Sequence, residues 1–265
     1  MVIVVCVKQV PASNDVKIDP VTKNLMRDDT EGVMNPYDKN AVEEALKVKE
    51  KTGGKVIAVS MGPPQFIDTL REAIAMGCDE AMLLSSRALG GADTLATAYA
   101  LAKAVEKIGQ VDLIFFGRHA VDADTGQVGP IVAEYLNLPQ VTFAKGLELM
   151  DDGWVKVTRL LDKSEELVKV KLPAVITATG ELNTPRYATP IKIMKAAKKE
   201  IPVYDEKALN CDPERIGMKG SRTIVTSVFA PPKSGRTAEM LGDCGCKPDV
   251  AAKQIVEVLT QRNVL

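Results

Sequence analysis

Val111 to Pro130 reads VDLIFFGRHAVDADTGQVGP. Leu113-Ile114-Phe115-Phe116 is a short apolar run closed by Gly117, the signature of a buried strand. A loop bearing Asp122 and Asp124 follows. Then come Gly126, Gly129 and Pro130, and a helical pattern through Ile131, Val132, Tyr135 and Leu136. Strand, glycine-bearing loop and helix can hold a nucleotide phosphate. Free backbone N–H groups and the positive end of the helix dipole favour an anion there, and glycine lets it come close. Pro130 suits the first helical turn, where its missing N–H costs nothing. An ordinary βα turn carries the same pattern. The stretch matches neither GxGxxG nor GxxxxGK[ST]. The two aspartates suit ribose hydroxyls or helix capping better than phosphate, and capping is the role expected of Asp124.

Upstream, apolar strands alternate with amphipathic helices. Residues 1–7 form a first strand. Residues 11–34 are polar, with extended patches at 16–18 and 24–26, and read as a hairpin or a partner-facing excursion. Asn35-Pro36-Tyr37-Asp38 opens a helix that Asn35 or Asp38 can cap, and Gly53-Gly54 ends it. Val56–Ser60 is the next strand, and a helix with Ile67, Leu70 and Ile74 on one face follows. Ala81–Leu84 is a short strand, and Asp93-Thr94 caps a helix to Ile108. This alternation predicts a doubly wound, Rossmann-like parallel sheet with helices on both faces. Its ligands belong at the carboxyl ends of the strands. Cys6-Val7-Lys8, Ser60-Met61-Gly62, Gly117-Arg118-His119 and Asn35–Asp38 therefore form one expected pocket.

From Gln140 the texture changes to period-two alternation at 141–144, 154–157 and 167–170, an antiparallel annex to the sheet. Leu172–Thr177 is a further strand, and 191–199 a helix. The domain reading is an α/β nucleotide-binding domain over 1–200 and a C-terminal arm over 201–265. The arm has one apolar run at 223–229 and a helix at about 251–262.

The 34 basic and 35 acidic residues leave a formal charge of -1. That balance excludes a nucleic-acid or membrane-surface protein, and no apolar run reaches the length of a membrane span. Five cysteines with irregular spacing suit a reducing cytoplasm. Cys244-Gly245-Cys246 lacks the second pair that a zinc or iron–sulfur site needs, so no metal is expected. His119 is the single histidine. No acid–base or nucleophilic constellation stands in the chain. Arg118 is placed to pair with Asp122 or Asp124.

Several long stretches together resemble the β subunit of electron-transfer flavoproteins: VVCVKQV, MNPYDKNAVEEALKVKE, IAVSMGP, VDLIFFGRHAVDADTGQVGP and LPAVITATGELNTPRYATPIKIMKAAKK. The family's signature around 157–177 matches in part, through Arg159, Asp162, Glu165, Pro173 and Thr177. The resemblance implies a heterodimer with an FAD-bearing α subunit, which the C-terminal arm embraces. It also implies that the pocket residues are Cys6, Asn35, Pro36, Tyr37, Asp38 and Met61, with Gly117, Arg118, His119, Ala120, Val121, Asp122, Ala123, Asp124, Thr125, Gly126 and Gln127. Val128, Gly129 and Pro130 start the helix.

In the family's plain electron carriers this pocket holds AMP. In its electron-bifurcating branch it holds FAD, which takes hydride from NADH, and the resemblance then implies that Arg118 or His119 stabilises the reduced, anionic ring. The AMP forms insert residues before the Thr-Gly-Gln. Here Asp124 runs straight into Thr125, the short version of the bifurcating branch, although Ala123 replaces the usual glycine. Electrons would then pass to the α-subunit FAD, to a flavin-containing dehydrogenase and to a low-potential acceptor such as ferredoxin. The docking loop implied for the dehydrogenase contains Arg186, Tyr187, Pro190, Ile191 and Met194, with Pro190 where the family has an anchoring leucine. A non-redox adenine-nucleotide sensor is the alternative from another class. It accounts for residues 1–138 but not for the annex, the docking loop or the arm.

Overall fold

The computed structural model describes residues 1–12, 32–226 and 247–265. They fall into two compact units, Met1–Val228 and Phe229–Leu265. In the first, β1 (Val2–Cys6) leads into the short strands β2 (Gln9–Pro11) and β3 (Gly32–Met34). Then come α1 (Pro36–Thr52), β4 (Lys55–Met61), α2 (Ile67–Met76), β5 (Glu80–Leu84), α3 (Thr94–Ile108), β6 (Leu113–Gly117) and α4 (Val128–Tyr135). The second half adds β7 (Gln140–Leu149), β8 (Trp154–Leu160), β9 (Glu165–Lys171), β10 (Ala174–Ala178), α5 (Pro190–Ala197), β11 (Val203–Tyr204) and the single turn α6 (Gly217–Gly220). In the second unit α7 (Pro248–Gln261) begins with proline in its first turn. Among the described residues no helix is long and apolar enough to cross a membrane.

Nine strands form one sheet in the order β11-β5-β4-β1-β6-β10-β7-β8-β9. Neighbours from β11 to β7 run parallel, and β7-β8-β9 are antiparallel. The expected doubly wound sheet with an antiparallel annex is therefore present. β2 and β3 pair antiparallel at the base of the expected hairpin, while its patches at 16–18 and 24–26 lie outside the described residues.

Strand β1 shows why its sequence is apolar without a break. Ile3 and Val5 enter a core with Leu46 of α1 and Leu70 of α2, whereas Val4 and Cys6 enter the opposite core with Leu101 of α3 and Val132 of α4. A parallel strand covered on both faces has no polar side. The sheet order reverses between β1 and β6, since β4 and β5 continue on one side of β1 and β6 begins the other. The carboxyl ends of β1 and β6 thus bound the crevice where such sheets bind ligands.

After the apolar run at 172–177, the chain returns across α1 and explains a set of buried polar residues there. Asn40, Glu43 and Glu44 are all buried, which is rare for such residues without partners. Asn183 Nδ2 donates to Asn40 O at 3.0 Å and to Glu44 Oε2 at 2.9 Å. Arg186 grips Glu43 through Nε at 2.8 Å and Nη2 at 3.0 Å, and reaches Glu50 Oε1 through Nη1 at 2.5 Å.

The region from residue 201 ties into the first unit. β11 adds to the sheet edge beside β5, and Leu209 and Ile216 are buried in the α3–α4 core. Asp93 caps α3 as expected, accepting from Leu95 N and Ala96 N at 3.0 Å each. Its second oxygen takes the N–H groups of Arg222 and Thr223 at 2.7 and 3.0 Å. Residues 223–226, the start of the apolar run, form no strand, and the Thr223 N–H bonds to this carboxylate. The rest of that run, 227–229, lies outside the described residues, as do Cys244 and Cys246.

Arg186→Ala should leave the buried Glu43 carboxylate without its cation. A loss of about 2–3 kcal/mol follows from the charge-assisted hydrogen bonds removed, read as a lower urea midpoint.

Candidate functional site

Asn35 and Asp38 bring the expected segments together. Both are buried, and they join the ends of β1 and β6 to the start of α1. Asp38 Oδ2 accepts the Lys8 N–H at 2.7 Å, and Oδ1 accepts from Asn35 Nδ2 at 2.9 Å and Gly117 N at 3.1 Å. Asn35 Nδ2 also donates to His119 O at 2.9 Å, and its Oδ1 accepts from Val121 N at 3.1 Å. Neither residue caps α1 through its side chain, contrary to the capping expectation, because these ties occupy their polar atoms. Burial pushes the Asp38 carboxyl up to about 7, against the three N–H donors that pull it down.

Gly117 is required by this junction. A Cβ there would lie 2.3 Å from Asp38 Oδ1 and 2.8 Å from Tyr37 Cβ. Gly129 similarly lets α4 approach β10 and β6, since a Cβ would lie 2.9 Å from Thr177 Cγ2. The N-terminus of α4 carries no side-chain cap. Asp124 does not reach it. Asp124 sits in the left-handed region at φ 50°, and its Oδ1 lies 3.3 Å from His119 Nε2. Gly126 is also left-handed at φ 62°, and a Cβ there would meet only Arg118 O, at 3.3 Å. The loop thus runs through two left-handed residues into an uncapped helix start, an arrangement that fits an anionic group.

Arg118 does not pair with Asp122 or Asp124. Lys8 Nζ takes Asp122, at 2.7 and 2.9 Å. The Arg118 guanidinium lies over the rings of Tyr37 and Phe143, with Cζ 5.7 and 5.2 Å from their centroids. Its Nε donates to His119 Nδ1 at 3.1 Å. Cys6 is buried, and burial first, then Asp38, pushes its thiol up. Met61 closes β4 beside β1 and packs on the α3–α4 core. Ser60 Oγ, just before it, is buried with no hydrogen-bond partner among the described residues.

Sequence reasoning placed Ser60 in the pocket but missed Phe143 and the Thr94 hydroxyl, which donates to Gln127 Oε1 at 2.9 Å and links α3 to the loop. The only available signal for the last was the adjacent cap at Asp93. The docking-loop residues lie apart from the crevice. Tyr187, Ile191 and Met194 are exposed, Pro190 starts α5 after its cap Thr189, and Arg186 is engaged with α1. A hollow of about 320 Å³, lined by Met1, Gly53, Gly54, Gln110 and Asp112 among others, lies at the opposite, amino end of β1. Among the described residues no cluster of acidic, cysteine or histidine side chains could hold a metal.

These features define a doubly wound α/β protein with a built crevice at its switch point. Residues 22–209 match the family described as the electron transfer flavoprotein domain. A Thermoanaerobacterium thermosaccharolyticum protein described as electron transfer flavoprotein subunit beta is 46% identical over 266 residues, 100% of both chains. Subunit CarD of a caffeyl-CoA reductase–Etf complex, from Acetobacterium woodii, is 41% identical over 266 residues, again 100% of both. Protein FixA of Azotobacter vinelandii is 38% identical over 265 residues, 97% of this chain and 94% of its own. The chain belongs to the electron-transfer flavoprotein family, among its β subunits.

Asp38 predicts a pH dependence. The folded carboxyl titrates near 7 and the unfolded one near 3.8, so between these values the fold keeps a proton that the unfolded chain has lost. This group's contribution to stability therefore falls as pH rises from about 4 to about 7. Urea midpoints across that window should show the fall relative to Asp38→Asn, which cannot titrate. The variant should itself lose about 1–3 kcal/mol, because an amide NH₂ would face a backbone N–H.

Proposed function

We propose that this chain is the β subunit of a cytoplasmic, heterodimeric electron-transfer flavoprotein whose crevice holds FAD and takes electrons from NADH. They pass to the α-subunit FAD, a flavin-containing dehydrogenase and a low-potential acceptor such as ferredoxin. The observation that carries the reading is the loop between β6 and α4. It runs from Asp122 to Pro130 without inserted residues and leaves Gly126 open beside an uncapped helix start. The likeness to the CarD and FixA proteins supports it.

In this reading the amides of 125–129 hold phosphate, and Asn35–Asp38 and Met61 border the adenosine. Arg118 lies at the flavin end. A bound flavin supplies hydride and single-electron chemistry, and the protein supplies position and electrostatics. From residue 201 the chain becomes the arm over the α subunit, once residues 201–226 have secured it to β5 and Asp93. The exposed face of α5, with Ile191 and Met194, docks the dehydrogenase.

Denaturing the purified complex should release two FAD. One FAD with one AMP, and no reduction by NADH, would establish a plain carrier instead. Gly126→Leu places a side chain in a left-handed position where backbone must meet phosphate. That complex should keep the α-subunit flavin and lose both the second nucleotide and NADH oxidation.

Ile191→Ala with Met194→Ala should slow electron delivery to the dehydrogenase by roughly 30-fold, the equivalent of about 2 kcal/mol of apolar anchoring. Flavin content should not change. Stopped-flow transfer at the parent rate would remove α5 as the docking surface.

A further inference from the structure

Phe143 has a backbone conformation that its residue type disfavours. Its φ is 58°, in the left-handed region where a bulky residue is an outlier. β7 is irregular on both sides there. Its register with β10 shifts between Ile176 and Ala178, and its register with β8 shifts between Ala144 and Gly146. The Thr177 hydroxyl accepts the Phe143 N–H at 3.0 Å, and Ala144 O accepts both the N–H and the hydroxyl of Thr179 at 3.0 Å each. Glycine would take this conformation without the strain that an L-residue bears there. Bulges next to functional sites commonly re-aim one side chain.

What the bulge aims is the ring. It lies under Arg118, with Tyr37 as a second aromatic contact and His119 Nδ1 accepting the guanidinium Nε–H. That last bond puts the imidazole proton on Nε2, toward Asp124. His119 also packs edge-on against Tyr37, at 4.7 Å between centroids. Arg118 is thus held by both rings and the imidazole. Among the described residues neither of its terminal nitrogens has a carboxylate partner. Glu181 lies within its electrostatic reach and is held below the usual carboxylate range, chiefly by its own N–H and the Thr179 hydroxyl.

We propose that Phe143 is a positioning residue: its bulge clamps Arg118 so that the outer edge of the guanidinium faces the flavin ring and favours the ring's reduced, negatively charged form. The inference rests on the reading that the crevice holds FAD. In the transfer, the nicotinamide C–H bond breaks and its hydride joins the flavin. NAD⁺ leaves, and the ring keeps one added negative charge, which Arg118 stabilises.

The test uses the heterodimeric complex carrying Phe143→Gly, which keeps the backbone conformation and removes the ring. Phe143→Leu, which keeps bulk without an aromatic face, and Arg118→Gln accompany it. His119 is this chain's single histidine, so the imidazole ¹⁵N signals missing from a His119→Gln complex are its own. In Phe143→Gly the signature of an accepting Nδ1 should disappear. At a fixed NADH to NAD⁺ ratio, the reduced-to-oxidised ratio of this flavin should fall about tenfold in all three variants, between the limits for exposed and desolvated cation–π contacts. Unchanged imidazole signals in Phe143→Gly, or an unchanged flavin ratio in the three, would overturn the inference. A parent complex releasing AMP in place of a second FAD would overturn the proposed function and the target of the charge. The imidazole signals would then still decide whether Phe143 clamps Arg118.

Discussion

The Asn35–Asp38 junction is the constraint on which the site depends. The ends of β1 and β6 lie side by side at the reversal of the sheet, where no further strand bonds continue the ladder. Backbone N–H groups of Lys8, Gly117 and Val121, with the carbonyl of His119, lie at a partly covered edge that the ladder does not pair. Two side chains from the start of α1 satisfy all four. Burying a carboxyl there costs solvation, which raises the Asp38 carboxyl despite the donors that pull it down. In return the junction fixes where the β6–α4 loop leaves the sheet. Gly117 then follows from sterics, because no side chain fits between its Cα and Asp38.

The fold was legible because burial on both faces leaves a plain mark. Ile3 through Cys6 and Leu113 through Phe116 are unbroken apolar runs, and the helices between them alternate at helical spacing. The annex was equally clear, since Trp154–Val157 carries the alternation of a strand half in solvent. Hydrogen-bond roles were not legible. Asn35, Asp38 and Asp124 have the composition of caps, and composition cannot distinguish a cap from a tie to a strand far away in sequence. The same limit hid Asp93's second duty, because the amides of Arg222 and Thr223 come from the far end of the unit. Phe143 was read as one more strand residue. Nothing local marks a left-handed phenylalanine when its cause is a bulge set by two neighbouring strands.

The placement of the two positive features bears on the kind of ligand. The start of α4 lies on the face of the sheet whose core includes Val4 and Val132. Arg118 contacts Tyr37 of α1, and α1 packs on the opposite face with Ile3 and Val5. An anion at the helix start uses the dipole and the amides of the loop, and this alone would serve a mononucleotide. It would leave Arg118, set against Tyr37 and Phe143, outside its contacts. Holding a bulky residue in the left-handed region has a persistent energetic cost that a purely structural bulge would shed by substituting glycine. A ligand that reaches from the helix start past Gly117 to Arg118, with phosphate at one end and a ring that gains negative charge at the other, uses both poles. Under the proposed function, a flavin dinucleotide would meet both poles where a mononucleotide would meet one.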